Sequence, residues 1–408
     1  MNPPLLEEYF VVVLGLSPIL NMANFQYSTL LTLAGSELME DSWAIPAPCA
    51  VTDSRFATVA NGGRINNTVL GGASELVTMP ADFDIRSTVF DEATSIPFEF
   101  EYYDAATGEM VFHFMVDELI EDEDQTFYLC YGNPAVTTSQ EQITALWSDY
   151  YAVYHFAEPS GNTFYNSASD NNHLDYTTIS ATGRTGKLGY GVEFDGVDDY
   201  LQIGTLAGGA NTEFAVNYLF NTTHRLPGLA YITPIAGTGG AGEWSCRLYT
   251  GLGAPPTGTD SARAYFLYDV FDGGVCRSMG YPEPGIYSGN WVGHHSNRYC
   301  TGSYYSGFGD TSLNELTVHS SGCIASGSDL SSSNLIDVII GRSSYSSNTD
   351  NFKGFLDEVR IRDNTDPFDN AYDNFFQFVF NPDIWEIDAE ATVTGRVYCR
   401  DVKFESGA

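Results

Sequence analysis

Three acidic side chains within five residues, Asp195, Asp198 and Asp199, stand in the phrase Phe194-Asp-Gly-Val-Asp-Asp-Tyr200. With Asp357 they are the chain's candidates for metal chemistry, because Ca2+ is a hard ion that takes many carboxylate and carbonyl oxygens from a flexible turn. The same spacing serves a tight β-turn closed by Asx hydrogen bonds, in which a short acidic side chain bonds the backbone two residues on. The turn reading comes first and calcium second. Asp357 shares an alternation face with Phe355, Val359 and Ile361, so it is expected to point inward or to begin its strand. A buried carboxyl needs partners; backbone amides of the Asp195 turn are the first expectation and calcium the second.

Other chemistries find little purchase. His294 and His295 are adjacent, so on a strand they point to opposite faces and cannot easily share one zinc ion. The seven cysteines, Cys49, Cys130, Cys246, Cys276, Cys300, Cys323 and Cys399, contain no C-x-x-C pair. Buried reduced thiols are the leading reading for them, with one or two disulfides in the region of the middle four as the alternative. There is no Gly-x-Ser-x-Gly elbow, P-loop or dinucleotide fingerprint. Aromatic side chains that could stack on sugar rings are plentiful, 26 Tyr and 26 Phe; Trp244, Tyr304 and Tyr305 are the candidates for carbohydrate binding.

The acidic turn must be positioned by what surrounds it. Gly191-Val-Glu-Phe-Asp-Gly-Val-Asp-Asp-Tyr-Leu-Gln-Ile203 reads as a strand, an Asp/Gly turn and a second alternating strand. This phrase resembles the opening signature of laminin-G-like/concanavalin-A-like sandwiches, and Gly354-Phe-Leu-Asp-Glu-Val-Arg-Ile361 resembles a second phrase of that family. The two stand about one sandwich domain apart. The resemblance implies an all-β fold, an antiparallel jelly-roll sandwich. Where family members begin the turn after the first strand with Asp, this chain has Asn166. The match thins between Leu226 and Ile324, where Leu316-Thr-Val-His-Ser-Ser-Gly322 replaces a usual phrase.

Upstream, Asp82-Phe-Asp-Ile-Arg86 and Tyr131-Gly-Asn133 resemble an uncharacterised β-rich family that sits directly before laminin-G-like domains in microbial and viral surface proteins. Phe112, Phe114 and Val116 alternate with His113 and Met115, a half-buried strand. Between the regions, Thr138 and Glu141 make a capping-box pair before Ile143, Leu146 and Trp147. A short helix with Trp147 as anchor is expected to dock the domains rigidly. The expected organisation is an apolar N-terminal arm (1–25), an upstream β-domain (26–135), a linker helix (136–149), the sandwich (150–380) and a C-terminal tail strand (381–408).

Relatives of such sandwiches that hydrolyse β-glucans carry a Glu-x-Asp-x-Glu strand, and Glu386-Ile-Asp-Ala-Glu390 repeats that pattern. On one face of a strand those carboxylates supply a nucleophile and an acid/base for retaining hydrolysis. Here the phrase follows the last sandwich strand, so a solvated acidic strand is the preferred reading.

Charge sets outer limits. There are 53 Asp and Glu but only 17 Lys and Arg, for a net charge of -36. Such a surface repels phosphate backbones and anionic bilayers, excluding nucleic-acid and membrane-surface partners. The apolar run Tyr9–Leu20 has acids, Glu7 and Glu8, before it and no small-x-small cleavage site after it. It is too short to span a bilayer. The arm is therefore expected to be retained and to pack on another domain or subunit. The tail carries Arg396, Arg400 and Lys403, a local reversal of sign suited to clamping an acidic neighbouring copy.

The expected protein is a non-enzymatic structural or adhesive component of an extracellular assembly, first of all a virion surface protein such as a capsid decoration, spike or tail fibre. Its partners would be other copies, other subunits met through the arm and tail, and host-surface glycans. A cell-surface carbohydrate-binding adhesin is the second reading and a glycoside hydrolase the third.

Overall fold

The computed structural model describes residues 27–38, 42–65, 86–88, 96–131, 141–169, 171–175, 179, 181–204, 206, 214–224, 231–237, 243–249, 264–272, 275–283, 289–298, 304–310, 338–342, 351–363, 379, 385–387 and 391–392. The N-terminal arm, Thr138, the 316–322 phrase and the tail's Arg396, Arg400 and Lys403 lie outside the described residues.

Among the described residues strand predominates, in keeping with the aromatic content of the chain. The first domain contains β1 (Tyr27–Leu33), β2 (Ser42–Thr52), β3 (Arg86–Thr88), β4 (Phe98–Asp104), β5 (Glu109–Leu119) and β6 (Gln125–Tyr131). One turn of helix, α1 (Ile143–Leu146), leads to the second domain. That domain begins with β7 (Tyr150–Tyr154), β8 (Thr163–Phe164), β9 (Leu174–Asp175), β10 (Ala181–Thr185), β11 (Tyr190–Asp195) and β12 (Leu201–Gly204). It continues through β13 (Phe214–Asn221), β14 (Tyr231–Gly237), β15 (Glu243–Tyr249), β16 (Ala264–Asp272), β17 (Val275–Glu283), β18 (Trp291–Arg298), β19 (Tyr304–Asp310), β20 (Val338–Ile340) and β21 (Lys353–Asp363). Two short strands, β22 (Trp385–Ile387) and β23 (Ala391–Thr392), close the described chain.

The second domain is the antiparallel sandwich. One sheet runs β10-β11-β21-β13-β18-β19 with β7 also on β21, and the other runs β12-β20-β14-β15-β16-β17. Between them lies a core of Tyr154, Val192, Phe194, Leu201, Val216, Tyr218, Phe220, Ile340, Leu356, Val359 and Ile361. Phe194 of the sequence signature is therefore a core residue, set edge-on to Phe352 at 5.9 Å between ring centroids. Gly341 makes this possible. Its φ is +92°, and a Cβ there would stand 2.4 Å from the Phe194 ring.

The first domain is itself a two-sheet sandwich, β22-β1-β6-β3 over β2-β5-β4. Its core holds Leu31, Leu33, Phe98, Phe100, Phe112, Phe114, Val116 and Phe127, with Cys49 a buried free thiol among them. The alternation read from Phe112 to Val116 is present as expected.

The last strands do not trail away from the sandwich. Trp385, Glu386 and Ile387 pair with Leu33, Thr32 and Leu31, and Ala391 and Thr392 pair with Ser28 and Tyr27. The chain thus returns after the sandwich to complete the sheet of its first domain, and Glu386 stands at the edge of that sheet, outside the two sheets of the sandwich.

Candidate functional site

Each domain presents one sheet face to the other. In β5, Phe112 and Phe114 enter the first core, which turns His113 outward. In β4, Phe98 and Phe100 point inward and Glu99 outward; a register shift between Phe100 and Tyr102 then makes Glu101 the extra residue of a bulge. In the sandwich, Tyr154 faces the core and His155, which follows β7, does not. A second bulge lies in β21, where pairing shifts between Asn217 and Leu219 and Glu358 takes a φ of +51°. Leu356, Val359 and Ile361 stay in the core, while Asp357, Glu358 and Arg360 leave it.

These outward residues meet those of the other domain. Glu101, His113, Asp357 and Glu358 are each 0% exposed, with Glu99, His155 and Arg360 buried beside them. His155 lies between two carboxylates, its Nδ1 on Glu358 and its Nε2 3.3 Å from Glu99 Oε2. Glu99 also accepts from Trp147 Nε1 at 2.5 Å and from Ser167 Oγ at 2.7 Å. Arg360 donates to Glu358 Oε2 through Nε at 2.8 Å and Nη2 at 2.5 Å, and its Nη1 reaches the Pro46 carbonyl of β2 at 3.5 Å. Arg360 Nη2 also donates to His113 Nδ1 at 3.1 Å, leaving the His113 ring proton on Nε2, 2.9 Å from Glu101 Oε2. The two imidazoles stack at 4.6 Å between centroids. Apolar patches flank the cluster: Leu146, Trp147 and Val153 on one side, and Val111, Leu188, Leu219 and Val379 on the other.

Burial and neighbouring charges shift the protons of this cluster in opposite directions. Burial alone would lower His155, but the charges of Glu358 and Glu99 raise it well above the ordinary histidine value, so it is an imidazolium. Burial would raise Glu358, yet His155 and Arg360 hold it far below the carboxylate range. Burial, then the charge of Glu358, pushes Glu101 and Asp357 well up, and burial pushes His113 well down. Glu358 thus stands as an anion against the His155 imidazolium and the Arg360 guanidinium, with Glu101, Asp357 and His113 neutral. Such a network satisfies the rule that buried charge be paired and hydrogen-bonded.

Glu158, three residues past His155, extends the polar zone. Its Oε1 accepts from Tyr165 N at 2.9 Å, and burial pushes its pKa up to about 7. The folded chain therefore keeps a proton that the unfolded chain releases as pH rises through the interval from its ordinary value to about 7. Glu158 thus costs stability progressively over that interval, and fully above it. Glu158→Gln is expected to be neutral at about pH 3.5, below the ordinary value, and stabilising by up to about 3 kcal/mol at about pH 8. Denaturant midpoints of both proteins at the two pH values check this.

The residues singled out in the sequence sit elsewhere. Asp195 Oδ1 accepts from Val197 N at 2.7 Å and Asp198 N at 3.3 Å, and Asp199 Oδ2 accepts from Asp195 N at 2.8 Å. This is the Asx turn. Arg342 lies 3.4 Å over the ring of Tyr200 at its end. The carboxylates of Asp195, Asp198 and Asp199 do come within 4.8 Å of one another. Asp357 does not join them. Its Oδ2 accepts from the amides of Lys187, at 2.7 Å, and Leu188, at 2.9 Å, in the β10–β11 turn. Asp195 pairs with Lys353, which lies four residues or about 13 Å along the strand from Asp357. The expected inward face for Asp357 is also corrected: the bulge at Glu358 shifts the alternation by one, placing Leu356 in the sandwich core and Asp357 at the domain junction.

Asn166 needs no metal, since its Oδ1 accepts from Val153 N and Ala168 N and its Nδ2 donates to Ser169 Oγ and the Asn171 carbonyl. His294 is buried against Tyr218 at 4.9 Å between ring centroids. Trp244 lies on β15, opposite Gly237 and Val270, whereas Tyr304 and Tyr305 lie on β19, opposite Arg298 and Asn297. The three sugar-stacking candidates belong to two different sheets. Sequence reasoning passed over His113, His155, Glu99, Glu101, Glu358 and Arg360. The available signal was charge set every second residue among aromatic and aliphatic ones, as in Phe-Glu-Phe-Glu and Val-Arg-Ile, in a chain only 17% charged.

Comparison with known proteins adds likeness without identity. No family model matches the chain, and no curated protein does. Among solved structures it is similar to the binding domain of botulinum neurotoxin serotype D/C VPI 5993, with 9% identity over 57% of this chain and 52% of that one at a TM-score of 0.38. The binding domain of Paraclostridial Mosquitocidal Protein 1 gives 12%, 58%, 52% and 0.39 in the same order. Full-length tailspike protein 2 from Escherichia coli O157:H7 bacteriophage CAB120 gives 10%, 46%, 24% and 0.35. The chain spans about half the length of the toxin domains it matches. At such scores these likenesses carry no argument about function. Among the described residues, no helix is long and apolar enough to cross a membrane.

Proposed function

We propose that this protein is a non-enzymatic structural or adhesive component of an extracellular assembly, and specifically a virion surface protein that holds two β-domains as one rigid unit. The observation that carries the reading is the buried junction. Among the described residues, a group of acid, base and cation side chains is buried where the two domains meet, a position suited to holding them together. An acidic, strand-built surface suits a particle exposed to saline medium, and the sandwich offers loops and sheet edges for contact. The arm and tail would join neighbouring subunits. Glycans, where bound, would meet Tyr304 and Tyr305 on β19, an edge strand among the described residues, or Trp244 on the opposite sheet. Calcium would sit at the Asp195 turn.

Mass and imaging of the native material test the assembly reading: the expected result is incorporation into a symmetric particle, and a lone monomer in every native preparation would sink it. A glycan array run with and without a chelator tests binding and calcium together. Polysaccharide cleavage lost in Glu386→Gln would establish the hydrolase reading instead.

A further inference from the structure

The four groups at the centre of the domain junction have the donor types and spacing of a metal centre. We propose that Glu101, His113, His155 and Glu358 form a closed site for one first-row divalent cation, zinc fitting best, that staples the two β-domains together. Glu101 Oε2, His113 Nε2, His155 Nδ1 and Glu358 Oε1 supply one ligand atom each, all within 4.8 Å of one another. Two come from β4 and β5 of the first domain and two from the β7 and β21 region of the sandwich, so a bound ion ties one domain to the other.

Ligands about 2.0–2.2 Å from a tetrahedral ion stand roughly 3.3–3.6 Å apart. The atoms present bracket that spacing, with Glu101 to His113 at 2.9 Å, His113 to Glu358 at 3.9 Å and His155 to Glu101 at 3.9 Å. Imidazole with carboxylate suits zinc and its neighbours, whereas calcium and magnesium want oxygen alone. Four protein donors and complete burial describe a structural rather than a catalytic centre.

The surroundings fit as well. Ligating histidines characteristically donate their second N–H to a carboxylate, and His155 Nε2 faces Glu99, itself held by Trp147 and Ser167. Arg360 donates to Oε2 of Glu358, while Oε1 faces His155 Nδ1, on the side where the ion would sit. Ligation through Nε2 puts the His113 ring proton on Nδ1, so its hydrogen bond from Arg360 is given up in the loaded state.

The site is sealed, so the test loads it during folding. The full chain is unfolded, stripped with chelator and refolded with Zn2+, Co2+ or Mn2+, then dialysed and assayed for metal. Expected are one retained Zn2+ per chain, a raised melting temperature, and the visible absorption of tetrahedral cobalt in the Co2+ form. Folded Glu101→Gln and His113→Gln should lose the ion, while Arg184→Gln, altered only in an exposed ion pair with Glu193, should keep it. Should those two variants fail to fold, the cobalt spectrum and the metal content of the wild type decide alone. Folded wild type that retains none of the three ions, or retention undiminished in folded Glu101→Gln, overturns the proposal.

Discussion

Arg360→Met is expected to cost the folded protein about 3–5 kcal/mol, because it removes one member of a buried ion pair and leaves the other behind. Arg360 makes two hydrogen bonds to Glu358, one to His113 and one to the Pro46 carbonyl, and its guanidinium lies 4.9 Å over the Trp147 ring. Methionine keeps much of the volume and none of these bonds. Glu358 would keep His155 but lose both donors on Oε2, in a site without water contact. Arg360→Lys is expected to recover only part of the loss, since an ammonium cannot reproduce the planar fork. Removing both charges, as Arg360→Met with Glu358→Gln, should cost less than Arg360→Met alone, for then no charge is stranded. Denaturant unfolding of the four proteins measures all of this; a cost under about 1 kcal/mol for Arg360→Met would place the pair among interactions of surface strength.

Trp147→Ala should be comparably damaging, at about 3–5 kcal/mol for the emptied volume. Trp147 is fully buried among Leu146, Val153 and Met115, with Tyr150 edge-on at 5.1 Å between ring centroids. It also donates to Glu99 at 2.5 Å, so Trp147→Phe separates the two contributions: the ring is largely kept and a buried carboxylate loses a donor, a loss of about 1–3 kcal/mol. Equal midpoints for Trp147→Phe and wild type would show that the indole N–H contributes nothing to the junction.

The sandwich was legible in the sequence because its signals are local. Phe194, Asp195 and Gly196 specify a strand end and an Asx turn within a few residues, and the structure contains both. Alternation from Phe112 to Val116 likewise identified which side faces the first core. Trp147 was legible as a docking anchor, and it is buried between the domains. Glu141 was legible only in part, since it precedes α1 rather than standing in its first turn and accepts the Phe100 amide of β4 at 2.8 Å. The junction was not legible for two physical reasons. Period-two alternation shows that His113 and Arg360 leave their own cores, but says nothing about a second sheet covering them. Bulges at Glu101 and Glu358 each break the period, which is why Asp357 was assigned to the wrong face. Pairing of Ile387 with Leu31 spans most of the chain and leaves no local mark.

Scanning calorimetry of the wild-type protein and of Arg360→Met tests the coupling of the two domains most directly. If the buried network joins them, the wild type unfolds in one transition whose calorimetric and van't Hoff enthalpies agree, and the Arg360→Met transition falls and separates into two. Two resolved transitions already present in the wild type, unmoved relative to each other by the substitution, would contradict it.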